Sequence, residues 1–102
     1  MPSDSPLVKG QPLSDVVQQL VADVLVISVN EVQPGRALIR DLGAESIDLM
    51  DLVFRLEEAL DMRIPFTRWQ RFVEVNLAGR DAAAGITPEF VQAFAQQEMQ
   101  RA

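Results

Sequence analysis

The chain has 102 residues, a net charge of −6 and 48% hydrophobic residues, with neither cysteine nor histidine. That length builds one ordinary domain whose modest core needs no metal or disulfide. The missing residue types exclude disulfides, thiol chemistry and Cys- or His-ligated metals. They also remove the usual neutral-pH base, leaving an enzyme only carboxylates, Lys9 or an imported cofactor.

In chain order, residues 1–12 are polar and rich in Pro and Ser, without the basic start and apolar centre of a signal peptide. They read as a flexible segment ahead of a single helical domain over 13–102. Ser14 can cap a first helix running to about Val26, with Val17, Leu20, Val21, Val24 and Leu25 as its apolar stripe. Asn30 to Leu42, containing Pro34-Gly35, is a long connection anchored by Leu38, Ile39 and Leu42, and its length favours packing over the bundle. A second helix runs from Ser46 to about Leu60 and stops before Ile64-Pro65, because proline disfavours helix at the residue before it.

Thr67 can cap a third helix carrying Trp69, Phe72, Val73 and Leu77 on one face, a spacing that favours Trp69 as packing over a ligand platform. Asn76 to Gly85 is a small-residue connection in which Ala82-Ala83-Ala84 can add a helical turn. Thr87-Pro88-Glu89 then combines a capping hydroxyl, proline at the first helical position and a first-turn acid. The last helix turns Phe90, Val91, Phe94 and Ala95 inward, with Met99 near its fraying end. The expected fold class is all-α: a small four-helix bundle with a long loop between the first and second helices and an additional or extended C-terminal helix. No apolar run is long enough to span a membrane, so a cytoplasmic protein is expected.

Residues 41–61 hold seven acids, Asp41, Glu45, Asp48, Asp51, Glu57, Glu58 and Asp61, against the single base Arg55, so this stretch carries the whole charge imbalance. Such a surface repels nucleic acid and anionic membranes and steers encounters with basic protein patches. Asp48 and Asp51 suit a helix N-terminus. Glu57, Glu58 and Asp61 lie near the C-terminus, where each acid costs roughly 0.3–1 kcal/mol, and pairs of Arg55 with Asp51 or Glu58 return only about 0.2–0.5 kcal/mol each. The placement therefore favours a partner-facing patch over mere solubility. The helix also carries two apolar lines: Leu49, Leu52, Val53, Leu56 and Leu60 face inward, while Ile47, Met50 and Phe54 follow an outer line among Asp48, Asp51 and Glu58, as in a docking surface. Ser46 reads as a helix cap worth about 1 kcal/mol over Ala. No general base accompanies it or pairs with Asp41 or Asp48 to make a hydrolase.

Asp41-Leu42-Gly43-Ala44-Glu45-Ser46-Ile47, followed by Asp48-Leu49-Met50-Asp51-Leu52-Val53, resembles the phosphopantetheine-attachment region of acyl carrier proteins. The similarity extends through Leu56-Glu57-Glu58 and Ile64-Pro65 and covers roughly residues 13–65. The resemblance implies a bundle of acyl-carrier type in which Ser46 receives 4′-phosphopantetheine from coenzyme A, and the cofactor's distal thiol carries an acyl thioester. It implies that Glu45, Ile47, Asp48, Met50, Asp51, Phe54, Glu57 and Glu58 face partners. These would be a phosphopantetheinyl transferase, then an acyl synthetase, ketosynthase or acyltransferase with a basic docking surface. It further implies a discrete, monomeric, non-catalytic carrier for fatty-acid, lipid or polyketide biosynthesis, with no nucleic-acid partner and no stable membrane insertion.

Two departures stand out. Glu45 occupies a position where Asp very commonly precedes the serine, and residues 66–87 do not follow the compact ending of a housekeeping fatty-acid carrier. They are similar to the enlarged ends of specialised carriers, such as those serving very-long-chain acyl transfer to lipid A. Phe54, Phe66, Trp69 and Phe72 are candidate walls of an acyl pocket, with plain core filling an equal alternative. A peptidyl or aminoacyl carrier, or an unmodified helical scaffold or regulatory subunit, is the competing reading of the chain.

Overall fold

In the computed structural model, which describes residues 6–101, the chain opens with a two-stranded antiparallel ribbon. Strand β1, Leu7–Val8, pairs with β2, Gln11–Pro12, through a turn at Lys9 and Gly10. Both turn residues have positive φ, 52° and 87°, the backbone that lets a two-residue hairpin match strand twist. Val8 is buried, and the Leu13 N–H donates to the Pro6 carbonyl at 2.8 Å. From Pro6 onward, then, the segment expected to be a flexible start is paired and packed. Residues 1–5 lie outside the described residues.

Helix α1 spans Leu13–Leu25. It starts behind Pro12 with no side-chain cap, one residue ahead of Ser14, so Ser14 does not take the capping role expected of it. The helix ends at Val26 in the left-handed region, φ 56°, with the Ile27 N–H reaching back to the Ala22 carbonyl at 3.0 Å. A β-branched residue is unusual there, where glycine is the common choice.

The loop that follows is well tied. Ser28 caps a 3₁₀ turn at Val29–Glu31, accepting from the Asn30 N–H while Glu31 accepts from the Ser28 N–H. The Gln18 amide donates to the Val29 and Val32 carbonyls at 3.0 and 2.9 Å. Val32, Ala37 and Leu38 are buried and Ile39 and Leu42 pack partly against them, so the connection lies over the bundle as its length suggested.

Helix α2, Ser46–Leu60, buries Leu49, Leu52, Val53 and Leu56 as the inward stripe predicts. Helix α3, Phe66–Leu77, starts behind Pro65 without a side-chain cap, so Thr67 lies inside its first turn and does not cap it. The alanines after Asp81 form the single turn α4, Ala82–Gly85, capped by the Asp81 carboxylate. Helix α5, Pro88–Arg101, is capped as expected: the Phe90 N–H donates to Thr87 Oγ1 at 3.2 Å.

The bundle is built by packing α1 against α2 and α5, with α3 beside α2 and α4 beside α3. Between α3 and α5, Trp69 and Phe72 meet Phe90 and Phe94 at ring-centroid distances of 5.0–5.8 Å, mostly edge to face. Each such pair adds about 0.5–1.5 kcal/mol beyond area burial. Among the described residues no helix is long and apolar enough to cross a membrane.

Glu98 was not anticipated. It is fully buried, and it continues the stripe of Val91, Phe94 and Ala95 at the next helical step. Arg68 Nε donates to its Oε1 at 3.0 Å, and the same guanidinium reaches the Arg63 carbonyl at 3.1 Å. Among the described residues Oε2 has no well-formed hydrogen bond, only an ion-pair contact of 3.4 Å with Arg101 Nε.

Two stability measurements follow from these features. Urea denaturation should show Val26→Gly more stable by roughly 0.5–1 kcal/mol, because glycine relieves the left-handed backbone and Val26 is 88% exposed. Arg68→Met should cost about 2–3 kcal/mol by leaving Glu98 buried beside Arg101 alone. Glu98→Leu should cost much less, since Arg68 and Arg101 both retain access to water.

Candidate functional site

The site is built from the loop upward. The Asp41 and Leu42 N–H groups donate to the Ala37 carbonyl, and the Ala44 N–H donates to Leu38 at 2.8 Å, winding residues 37–44 into a compact turn. The Leu38 N–H bonds the Ile86 carbonyl at 2.8 Å and the Arg40 N–H bonds Ala83 at 3.1 Å, which fastens the turn to the α4 segment. Asp41 closes it: its Oδ2 accepts from the Ala37 N–H at 2.9 Å, and Arg40 Nε lies 3.3 Å from Oδ1. The Ala37 N–H first and the Arg40 guanidinium second hold the Asp41 carboxyl below its ordinary value of 3.8.

This turn delivers Ser46 to the first position of α2. Glu45, not Ser46, is the N-cap residue, and its N–H donates to Asp48 Oδ2 at 2.8 Å. The expected capping by Ser46 is thus replaced by an Asp48 bond, which leaves the Ser46 side chain exposed and its hydroxyl without a partner among the described residues.

On the outer face of α2, Ile47, Met50 and Phe54 are 70%, 52% and 65% exposed. They line an open cleft of about 550 Å³ whose opposite side is Arg63, Ile64, Pro65 and Phe66. The acids around it have separate duties. Asp51 pairs with Arg55 at 3.3 Å, Glu58 is exposed, and Glu57 Oε2 accepts from the Ile64 N–H at 2.7 Å. Glu57 therefore fixes the α2–α3 loop. A hydrogen bond to a charged group is worth about 1.5–3 kcal/mol, which exceeds the roughly 0.3–1 kcal/mol an acid costs at a helix C-terminus.

A second open groove of about 560 Å³ runs beside Ser46. Ser46, Leu49 and Met50 line it from α2, with Ile39 from the loop. Helix α3 contributes Phe66, Trp69, Gln70, Val73 and Glu74, and the α4 segment contributes Ala82 and Ile86. The four aromatics expected to bound one space do not all share one. Phe66 and Trp69 line this groove, Phe66 also lines the outer cleft together with Phe54, and Phe72 lines a separate groove with Asn76, Leu77 and Phe90. The separation of Phe72 from Phe66 is helical phase: six residues turn through about 240° at 3.6 residues per turn. Ala82 and Ile86 were missed because they are distant in sequence and are brought near Ser46 by the backbone bonds between loop and α4 segment and by packing of that segment on α3.

A family model described as the phosphopantetheine attachment site matches residues 15–70. An acyl carrier protein named AcpXL, from Mesorhizobium japonicum, is 30% identical over 67 residues, which are 66% of this chain and 72% of that protein. Acyl carrier proteins from two Clostridium perfringens strains are each 39% identical over 51 residues, 50% of this chain and 67% of theirs. The chain belongs to the acyl-carrier-type phosphopantetheine-binding family. That family is one of thioester carriers in biosynthetic pathways and not of catalysts.

Two measurements test the local geometry. Glu57→Ala should lose about 1–2 kcal/mol in chemical denaturation by stranding the Ile64 N–H, whereas Glu58→Ala should be neutral or slightly stabilising. Carbon-13 NMR should show Asp41 titrating below 3.8. Because its folded-state pKa is depressed, the stability it contributes is complete above its unfolded-state value of about 3.9 and disappears as pH falls through the folded one. Asp41→Ala should therefore lower stability at neutral pH and flatten the acid limb of the profile.

Proposed function

We propose that Ser46 is the attachment point for 4′-phosphopantetheine and that the groove beside it receives the acyl group carried on the arm. The observation that carries this reading is the Ser46 hydroxyl itself, exposed and, among the described residues, unbonded at the first position of an acidic helix. The residues present fit the group. The first turn of α2 offers backbone N–H groups and a positive dipole end to a phosphodiester, and the adjacent Asp48 carboxylate is already engaged by the Glu45 N–H. When bound, the arm supplies the thiol on which acyl groups travel as thioesters.

The chain's own contributions are positional. The Ser46 oxygen would attack the pantetheine-side phosphorus of coenzyme A, forming the new phosphodiester as the pyrophosphate P–O bond breaks and adenosine 3′,5′-bisphosphate leaves. The serine proton goes to a base that the transferase supplies together with the metal. The loop held by Asp41 and by the α4 segment keeps that oxygen at a fixed corner. Ile47, Met50 and Phe54 offer apolar contact, while Glu45, Asp48, Asp51, Glu57 and Glu58 favour encounter with basic faces on the transferase and on an acyl synthetase, ketosynthase or acyltransferase. Tethering raises the local concentration of the thioester at each enzyme visited. In this reading the carrier is a cytoplasmic monomer serving fatty-acid, lipid or polyketide biosynthesis.

Incubation with coenzyme A and a broad-specificity phosphopantetheinyl transferase should add one phosphopantetheinyl mass to the wild type and none to Ser46→Ala, with helicity unchanged. Retention of that mass by the variant would refute the assignment. The combined Glu57→Gln, Glu58→Gln variant removes two charges while keeping an amide oxygen at position 57 to accept from the Ile64 N–H. Its transfer rate should fall severalfold at low salt and approach the wild-type rate near about 1 M, where the screening length is about 3 Å. Equal rates across the salt series would sink the steering role.

A further inference from the structure

We infer that Ala82, which lines the groove beside Ser46 together with Val73, is a specificity-determining residue that sets how long an acyl group this carrier can shelter. The inference rests on the reading of Ser46 as the attachment point and adds to it the element that measures the cargo.

Four observations carry it. First, the groove is composite: Ser46, Met50, Phe66 and Trp69 lie within the family match over 15–70, whereas Val73, Ala82 and Ile86 lie outside it. The shared framework thus supplies the attachment end and this chain's own extension supplies the remaining wall. Second, the inward side of Trp69 is packed, since its ring meets Phe90 and Phe94 at centroid distances of 5.8 and 5.2 Å.

Third, the wall cannot easily retreat. The α4 turn is capped by Asp81, and its segment is bonded through Ala83 and Ile86 to the loop before Ser46. It also packs so closely on α3 that a Cβ at Gly85 would meet Leu77 Cδ2 at 2.7 Å. Fourth, of the two residues this wall gives to the groove, Ile86 is buried in the core, while Ala82 is half-buried and carries the smallest side chain that still helps form the turn. A larger side chain at position 82 would project into the volume now open beside Ser46.

The test uses holo-protein loaded with a short-to-long series of saturated acyl chains, read by thioester protection from hydroxylamine and by methyl NMR. In the wild type each added methylene should raise protection by up to about fourfold, the equivalent of about 0.8 kcal/mol per buried CH₂, until the groove is full. The Ala82 methyl resonance should move with acylation and not with the bare arm. Ala82→Leu should end the rise at a shorter chain, and Val73→Phe, which fills the same space from α3, should do likewise should the first variant fold poorly. Identical chain-length limits in wild type and variants, or an Ala82 methyl that ignores every chain, would overturn the assignment. Failure of the wild type to gain the phosphopantetheinyl mass would instead overturn the attachment reading beneath it.

Discussion

The hydrogen bonds from Leu38 and Arg40 to the carbonyls of Ile86 and Ala83 are the constraint on which the rest of the site depends. In the proposed reading Ser46 is modified, which requires an open corner, where side-chain packing is thin and cannot hold the backbone. Ordering a long connection costs about 1–2 kcal/mol per residue in backbone entropy. The chain offsets this by burying Val32, Ala37 and Leu38 and by using main-chain bonds to a segment that is itself locked. The corner is fixed from behind, so the Ser46 hydroxyl needs no local partner.

The enlarged C-terminal part follows from the same requirement. The α4 segment can anchor the loop only if α3, on which it packs, is itself held in place. Four aromatic rings meet between α3 and α5, and such contacts tolerate some sliding of one helix along the other. The contact of Arg68 with Glu98 and with the Arg63 carbonyl does not, because it is satisfied in one register only. A buried ion pair stabilises little after desolvation. The value of this pair lies in fixing α3, and with it Phe66 and Trp69, relative to the end of α5.

Much of this was legible in the sequence where side chains speak for themselves. The bounds of α2, the outward line of Ile47, Met50 and Phe54, the Thr87 cap and the turn at Ala82 all rest on local periodicity or local capping chemistry. The errors cluster where backbone conformation decided the outcome. Helices α1 and α3 start behind prolines with no side-chain cap, so Ser14 and Thr67 misled. The ends of α1 and α2 fell where the apolar stripes stop, although the left-handed residues that close them, Val26 and Asp61, carry no glycine signal. Glu98 was missed for the opposite reason. Its place on the apolar stripe was readable, but a carboxylate there makes sense only once Arg68, thirty positions away, is seen to meet it.

The acids of α2 show how recognition and stability share one helix. Sequence position alone makes Asp48, Asp51, Glu57 and Glu58 look like one patch with one purpose, whose C-terminal members destabilise the helix. In the structure three of the four are engaged: Asp48 with the Glu45 N–H, Asp51 with Arg55, and Glu57 with the Ile64 N–H. The backbone bonds of Asp48 and Glu57 consume acceptor lone pairs and leave the negative charge in place, whereas Arg55 offsets the charge of Asp51. A carboxylate can therefore hold the backbone at both ends of α2 while still projecting its field toward a basic partner, because hydrogen bonding saturates a group and electrostatic steering does not. Glu58 makes no such bond among the described residues and contributes through its field alone. The acidity of α2 is thus compatible with a rigid helix, and in the proposed reading the docking surface is held in shape by charges that also attract a partner.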